Sequence, residues 1–321
     1  MQIFACPRCG QRLFFGNLAC ICGASVVYDP EAARYLPLAA PCANRNQIGC
    51  DWLAEQTGGL CRSCTMTEVT PDIFFGENRL LWSQSEQAKR WVLATLARWG
   101  WFTARDRGRR PAFHLLAEST GAGYVPVRMG HSGGLVTISV TEADPTESVR
   151  RREALGEATR TMIGHFRHEF AHFIFSRLAE RTGFLDAFRD AFGDERTDYA
   201  TALDTYYHQG PAAGWEARHV TRYAASHPHE DWAESVAHLL HLTDIIDSFV
   251  AAGLGSASLP VPNYDPYTET RAERLITVGV DLGMKLNHVN RSMGLPDIYP
   301  FALAPAVRTK LGLVHGWIRE P

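Results

Sequence analysis

The stretch GHFRHEFAHFIF, residues 164–175, sets ionisable side chains into an apolar helical pattern. His168 and His172 are four residues apart, and this spacing on a helix places them one turn above each other on one face. Both imidazoles can therefore reach one metal ion. Glu169 is rotated by about 100° from His168, so it lies beside such an ion, where it can take a proton from an attacking water. The H-E-x-x-H spacing thus predicts a hydrolytic zinc site.

The alternative for this stretch is a helix whose polar residues simply face water. Its neighbours argue against that alternative, because Phe170, Ala171 and residues 173–175 are apolar and favour a buried helix. Ionisable groups are costly in a buried helix unless they bind something. We therefore favour the metal site.

A third ligand is expected from a later helix. An extension of the motif along the same helix would need glycine at 175 and histidine at 178, whereas the sequence has Phe175 and Leu178. The segment SHPHEDWAESVAHLLH, residues 226–241, offers Glu230 and Glu234 one helical turn apart. We predict that Glu230 binds the metal and that Glu234 accepts a hydrogen bond from a ligand histidine.

Other ionisable side chains near these segments are weaker candidates. Asp194 and Asp198, in GDERTDYA, remain alternative carboxylate ligands. Five histidines flank the two motifs, and some of them could approach the site or contact a substrate. We interpret them mainly as packed, capping or structural residues: His165, His227, His229, His238 and His241.

All eight cysteines lie before residue 65, which marks a separate region. A C-x2-C pair can turn two thiolates toward one ion, and four thiolates complete a closed tetrahedral zinc site. In a reducing compartment this spacing favours metal binding over a small disulfide module. A cross-braced pairing of the eight remains open, but we predict two structural zinc ions held by consecutive fours: Cys6, Cys9, Cys20 and Cys22, then Cys42, Cys50, Cys61 and Cys64.

The length and composition agree with a globular protein. The 321 residues suffice for one large domain and one small one. A formal net charge of −3 argues against a protein that coats nucleic acid or an anionic membrane. The N-terminal MQIFACPRCG lacks the basic and apolar stretches of a signal peptide, and no apolar run approaches about 18 residues, the length of a membrane span. We expect a cytoplasmic protein.

The remaining pattern predicts a mainly helical α+β chain with a small sheet. Ser83 and Glu86 form a capping box that would begin a helix reaching about Trp99. Strand-forming residues at 124–129 and 135–140 flank a glycine-rich turn at 130–134. Asp144 and the proline after it signal the start of another helix. Further helical segments are predicted at 144–181 (with an interruption), 185–208, 229–252, 269–291 and 304–318.

The motifs together resemble a known family. H-E-x-x-H followed by E-x-x-A-E is similar to the gluzincin metallopeptidases, including those of the anthrax lethal factor type. Nearly the whole chain resembles a bacterial family of zinc-binding metallopeptidases with an N-terminal zinc-ribbon domain. The blocks that carry this resemblance are CPRCGQRLFFGNLAC, GHFRHEFAH, FGDERTDYA, HPHEDWAES and NRSMGLPDIYPF.

The resemblance implies roles for further residues. The first glutamate of the later segment, Glu230, would be the zinc ligand, and Tyr223, seven residues before it, would help to stabilise the tetrahedral intermediate. A zincin architecture would place a small sheet over the active helix, with an edge strand that binds extended peptide. Leu135–Val140 is the candidate edge strand. We expect a zinc-ribbon domain over 1–72 and a zincin-like domain over 73–321.

The function expected from these features is zinc-dependent hydrolysis of peptide bonds, with one catalytic and two structural zinc ions and a peptide or protein substrate. Two alternatives stay open: a non-catalytic zinc-ribbon adaptor that binds protein or nucleic acid, and a zinc hydrolase of a non-peptide amide. Glu169 argues against the adaptor, since an inert metal site has no need of a water-activating carboxylate. The cysteine-rich region holds only scattered arginines, so nucleic acid is an unlikely partner.

Overall fold

The structure, a computed structural model, describes residues 2–155, 161–299 and 302–321. They form two compact units, the first from the described residues up to 166 and the second from those at 167 and beyond. Helices dominate and the sheets are small, so the predicted α+β class with a cysteine-rich N-terminal region is confirmed. The domain division at residue 72 stays a prediction. No helix in the described ranges is long and apolar enough to cross a membrane.

The strands all belong to the first unit and most are short. In chain order they are β1 (Phe4–Ala5), β2 (Arg12–Leu13), β3 (Val26–Asp29), β4 (Arg34–Pro37), β5 (Thr67–Val69), β6 (Ala112–Leu116), β7 (Ser119–Thr120), β8 (Gly123–Tyr124), β9 (Gly130–Ser132) and β10 (Leu135–Ser139). The largest sheet has four strands in the order β5-β6-β10-β9, and the other strands pair as two-stranded ladders.

The four-stranded sheet is built around β6 and β10, which run parallel with Phe113 opposite Val136. Alternate side chains of both strands, including Phe113 and Ile138, are fully buried, as the period of two in a strand requires. Phe166 completes this apolar layer, with its ring centroid 5.6 Å from that of Phe113.

Two predictions for this sheet are wrong. Leu135–Val140 is not an edge strand, because β10 pairs with β6 on one side and with β9 on the other. The second partner, Gly130–Ser132, lies inside the predicted turn. Of the predicted strand 124–129, only Tyr124 is paired, as the last residue of β8. Strand pairing depends on distant partners, which local composition does not specify.

The helices are distributed over both units. In chain order they are α1 (Arg45–Ile48), α2 (Arg62–Thr65), α3 (Asn78–Ala97), α4 (Pro145–Leu155), α5 (Met162–Leu178), α6 (Phe184–Phe192), α7 (Tyr199–Gln209), α8 (Pro228–Ala251), α9 (Ala272–Ser292) and α10 (Pro305–Ile318). Residues 156–160 of the predicted helical stretch lie outside the described residues.

Local capping signals predict one helix start correctly and one wrongly. Asp144 accepts hydrogen bonds from the backbone N–H groups of Thr146 and Glu147 at 2.7 and 3.1 Å, so it caps α4 as predicted. Helix α3 begins five residues before Ser83, whose hydroxyl donates to the carbonyl of Ile48 at 2.7 Å. Glu86 is buried and paired with Lys89 at 2.9 Å, so the capping box does not form there.

An aromatic cluster forms the core of the second unit and joins α5, α6 and α8. Phe175 of α5 packs edge-on against Phe188 of α6 with ring centroids 4.9 Å apart. Phe184 meets Trp232 of α8 at 5.3 Å. The Trp232 indole N–H also donates to the carbonyl of Ala171 at 3.0 Å. These contacts fix α8 against the helix that carries the H-E-x-x-H motif.

Candidate metal centre

Helix α5 turns the imidazoles of His168 and His172 toward one point. Their Nε2 atoms are 3.1 Å apart and their ring centroids 4.8 Å apart. Both side chains are mostly buried, with 14% of each exposed. The i, i+4 spacing thus has the predicted result, since both rings project from one face of α5.

Helix α8 brings the carboxylate of Glu230 to the same point. Its Oε2 lies 3.0 Å from Nε2 of His168, and its Oε1 lies 3.5 Å from Nε2 of His172. A tetrahedral ion with ligand bonds of about 2.0–2.1 Å separates its ligand atoms by about 3.3 Å. The three donor groups therefore fit zinc in spacing and in chemistry, because two imidazoles and one carboxylate leave a fourth position open.

Glu234 lies one turn beyond Glu230 and contacts the other side of His168. The Nδ1 atom of His168 is 2.7 Å from Oε1 of Glu234. A proton on Nδ1 donates to this carboxylate and leaves Nε2 available to a metal, which is the arrangement predicted for this pair.

His168 and Glu230 shift each other's pKa values as closely paired charges do. Burial works against the protonated form of His168, but its hydrogen bonds to Glu230 and Glu234 raise the pKa of the imidazole well above its ordinary value. Burial also works against the ionised form of Glu230, yet the neighbouring His172 and His168 hold the pKa of that carboxyl well below its usual range. A metal entering the site would displace the proton from His168 Nε2.

The eight cysteines gather in the two consecutive fours, not in an interleaved pairing. Within each four, the Sγ atoms lie within 4.8 Å of one another. The close Sγ–Sγ contacts within the fours range from 3.6 Å for Cys50 and Cys61 to 3.9 Å for Cys6 and Cys22. A zinc tetrahedron with sulfur bonds of about 2.3 Å has edges of about 3.8 Å. All eight thiols are free of disulfides, so both sets fit a four-thiolate zinc site.

The two cysteine sites differ in their surroundings. Cys9 and Cys22 of the first four are exposed, whereas all four cysteines of the second are buried. Arg90 is also buried, and although burial works against its charge, Cys50 and Asp51 raise the pKa of its guanidinium above the ordinary value. This fixed positive charge offsets part of the negative charge that four thiolates bring to a zinc ion.

Comparison with known proteins agrees with the metal-binding geometry. The family described as "Putative zinc-binding metallo-peptidase" matches residues 78–317, which include all three donor groups of the His/Glu site. The chain belongs to this family. Uncharacterized proteins of Mycobacterium bovis and Mycobacterium tuberculosis are each 36% identical to it over 331 residues, covering 100% of this chain and 96% of the relative. No solved structure gives a significant match.

Glu169 and Tyr223, the predicted catalytic residues of this metallopeptidase family member, both lie beside the donor groups. Glu169 follows His168 on α5 and is 7% exposed. Tyr223 begins a short 3-10 turn, and its ring centroid is 6.0 Å from that of His168. Burial and the charge of Glu230 raise the pKa of the Tyr223 hydroxyl, which keeps it protonated as a hydrogen-bond donor.

One residue at the centre was not predicted. Tyr199, the first residue of α7, donates its hydroxyl to Oε1 of Glu230 at 2.6 Å. Burial and the charge of Glu230 raise the pKa of this hydroxyl, and Glu169 adds to the effect. The sequence signal was present in FGDERTDYA, where Asp198 caps α7, but the contact with Glu230 spans 31 positions of the chain.

The alternative ligands have other partners. Asp194 forms a two-point ion pair with Arg196 at 2.8 Å, and Asp198 accepts from the backbone N–H of Thr201 at 2.6 Å. His165 lies 3.3 Å from Glu142. His238 lies on α8 one turn beyond Glu234, and its Nδ1 is 3.1 Å from the hydroxyl of Tyr299. These contacts agree with the structural interpretation of His165 and His238.

The first turn of α8 is held by a buried charge cluster. Asp231, next to Glu230, accepts from Lys310 of α10 and lies 3.0 Å from Nδ1 of His219. Lys310 also donates to the carbonyl of Arg218 at 2.7 Å. Because Asp231 is 1% exposed, losing its partner would leave a buried charge uncompensated. The cluster thereby fixes the turn from which Glu230 projects.

Proposed function

We propose that this protein is a zinc-dependent peptidase of the gluzincin type, with His168, His172 and Glu230 as ligands of the catalytic zinc. The observation that carries the proposal is the convergence of these three donors at 3.0–3.5 Å, with a carboxylate next to the first histidine. Membership in a zinc-binding metallopeptidase family supports it. The substrate class is a peptide or protein, and the proposed compartment is the cytoplasm.

Zinc bound at this site would polarise the scissile carbonyl and lower the pKa of an attacking water. Glu169 would take the proton from that water and pass it to the leaving amine. Tyr223, kept protonated by burial and by Glu230, would donate to the developing oxyanion, a contribution of about 3 kcal/mol for such donors. Glu234 would hold His168 in the tautomer that presents Nε2.

The cysteine-rich region has a separate proposed role. We assign residues 1–72 to a zinc-ribbon-like domain with two structural zinc ions, and residues 73–321 to the zincin-like domain. A closed set of four thiolates leaves no position for water or substrate. The two cysteine sites would therefore contribute to folding and not to hydrolysis.

Digestion of a peptide library by the zinc-loaded protein tests the proposed activity. Cleavage is expected for the wild type and is expected to be lost in His172→Ala, because the catalytic zinc loses one of its three protein ligands. Mass spectrometry of the products reports cleavage. A panel of non-peptide amides, run in parallel, separates the alternative substrates.

Peptide cleavage that persists unchanged in His172→Ala would contradict the proposal. Turnover of non-peptide amides without any peptide cleavage would keep the zinc site and replace the substrate class.

A further inference from the structure

The segment between α6 and α7 is held in a defined conformation next to the metal centre. Asp194 fixes Arg196 through two hydrogen bonds of 2.8 Å. Asp198 accepts from the N–H of Thr201 at 2.6 Å and so caps α7. As a result, Tyr199 occupies the first position of the helix, where its backbone is constrained.

His227 ties this segment to the start of α8. It is 3% exposed, and its Nδ1 accepts from the backbone N–H of His229 at 3.1 Å, which caps α8. Because Nδ1 is the acceptor, the proton lies on Nε2, which donates to the carbonyl of Thr197 at 3.0 Å. The Tyr199 ring packs against the His227 ring with centroids 5.1 Å apart. The start of α7 is thus fixed relative to the helix that carries Glu230.

We propose that Tyr199 is a positioning residue that sets the orientation of the Glu230 carboxylate and thereby the affinity of the site for zinc. This inference rests on the proposed function, since it assumes that Glu230 is a zinc ligand. Tyr199 donates to Oε1 of Glu230 at 2.6 Å. Oε1 also lies 3.5 Å from His172 Nε2, so the bond restricts rotation of the carboxylate and occupies the oxygen on that side. Oε2, 3.0 Å from His168 Nε2, would then be left to bind the metal.

The chemical consequence would be that Glu230 binds a metal through one oxygen. If both carboxylate oxygens bound zinc equally, they would crowd the position that a hydrolytic site leaves open for water. Engaging Oε1 with a phenol keeps that position accessible. It also fixes Glu230 before the metal arrives, so less conformational freedom is lost when zinc binds.

Tyr199 and Glu234 therefore each orient one of the proposed metal ligands. Glu234 orients His168 through Nδ1 at 2.7 Å, and Tyr199 orients Glu230 through Oε1. Partners of metal ligands typically account for about 10- to 100-fold in metal affinity. Loss of the Tyr199 hydroxyl alone is expected to have an effect of that size.

The test is zinc affinity, measured by competition with a chelator, for the wild type and for Tyr199→Phe. The phenylalanine keeps the ring that packs on His227 and removes only the hydroxyl. His172→Ala identifies which equivalent of zinc belongs to the His/Glu site. Tyr264→Phe is the matched control, because Tyr264 donates to another carboxylate, that of Glu269, at 3.1 Å. Thermal unfolding is recorded for every variant.

The expected result is about 10- to 100-fold weaker zinc binding in Tyr199→Phe, unchanged binding in Tyr264→Phe, and unfolding temperatures no lower for the first variant than for the second. Equal affinity of Tyr199→Phe and the wild type would overturn the inference and leave the proposed function intact. An equal loss in both tyrosine variants would also overturn it, since it would indicate general loosening. A wild type that binds no more zinc than His172→Ala would overturn both the inference and the proposed function.

Discussion

Replacing Glu169 by glutamine is expected to reduce peptide hydrolysis by about 10²- to 10⁴-fold, the range typical of a positioned general base. Glutamine keeps the size and the hydrogen-bonding reach of the side chain but cannot accept the proton of the attacking water. Because Glu169 is beside the donor set and not part of it, zinc per chain is expected to stay unchanged. Initial rates on a peptide substrate and elemental analysis of the same sample measure both quantities.

Glu180→Gln is a suitable control for this variant. Glu180 is an exposed carboxylate just beyond the last residue of α5, the helix that carries Glu169. The Glu180→Gln substitution should leave the rate of peptide hydrolysis unchanged. Full activity in zinc-loaded Glu169→Gln would show that Glu169 is not the general base. A loss of zinc in that variant would show that Glu169 holds the metal.

The second large effect is expected from the buried cysteine site. Cys61→Ala should release one zinc ion and lower the free energy of unfolding of the first unit by several kcal/mol, since structural zinc contributes on the order of 10 kcal/mol to folding. Cys61 has no exposed surface, and burial raises the pKa of its thiol well above the ordinary value, so a metal-free site would hold it as a neutral thiol. Zinc analysis and thermal unfolding measure the effect.

Cys22→Ala provides the comparison at the exposed cysteine site. It should also release one zinc ion, but with a smaller loss of stability, because Cys9 and Cys22 lie at the surface. The same zinc content in the wild type and Cys61→Ala would contradict the assignment of the second four. Equal losses of stability in the two variants would contradict the distinction drawn between the sites.

Local spacing was enough to predict the part of the site that lies on single elements. His168 and His172 are one turn apart on α5, as are Glu230 and Glu234 on α8, so helical geometry fixes each pair. The cysteines, close in sequence, also gather in the predicted fours. In each case the relevant residues share a helix or a short loop region.

Contacts between distant parts of the chain that no recognisable motif marks could not be predicted. The hydrogen bond from Tyr199 to Glu230 and the ion pair of Lys310 with Asp231 span 31 and 79 positions. Similarly, the composition of β10 suits an edge strand and an inner strand equally well. Its pairing with β9 makes it an inner strand. Tertiary packing, which no local pattern encodes, determined each of these outcomes.

Zinc per chain, measured by elemental mass spectrometry on the wild type and on His172→Ala, tests the central claim most directly. We expect three zinc ions in the wild type, one for the His/Glu site and one for each set of four cysteines, and two in the variant. Two zinc ions in both proteins, with no other metal in the wild type, would contradict a metal centre on the H-E-x-x-H helix.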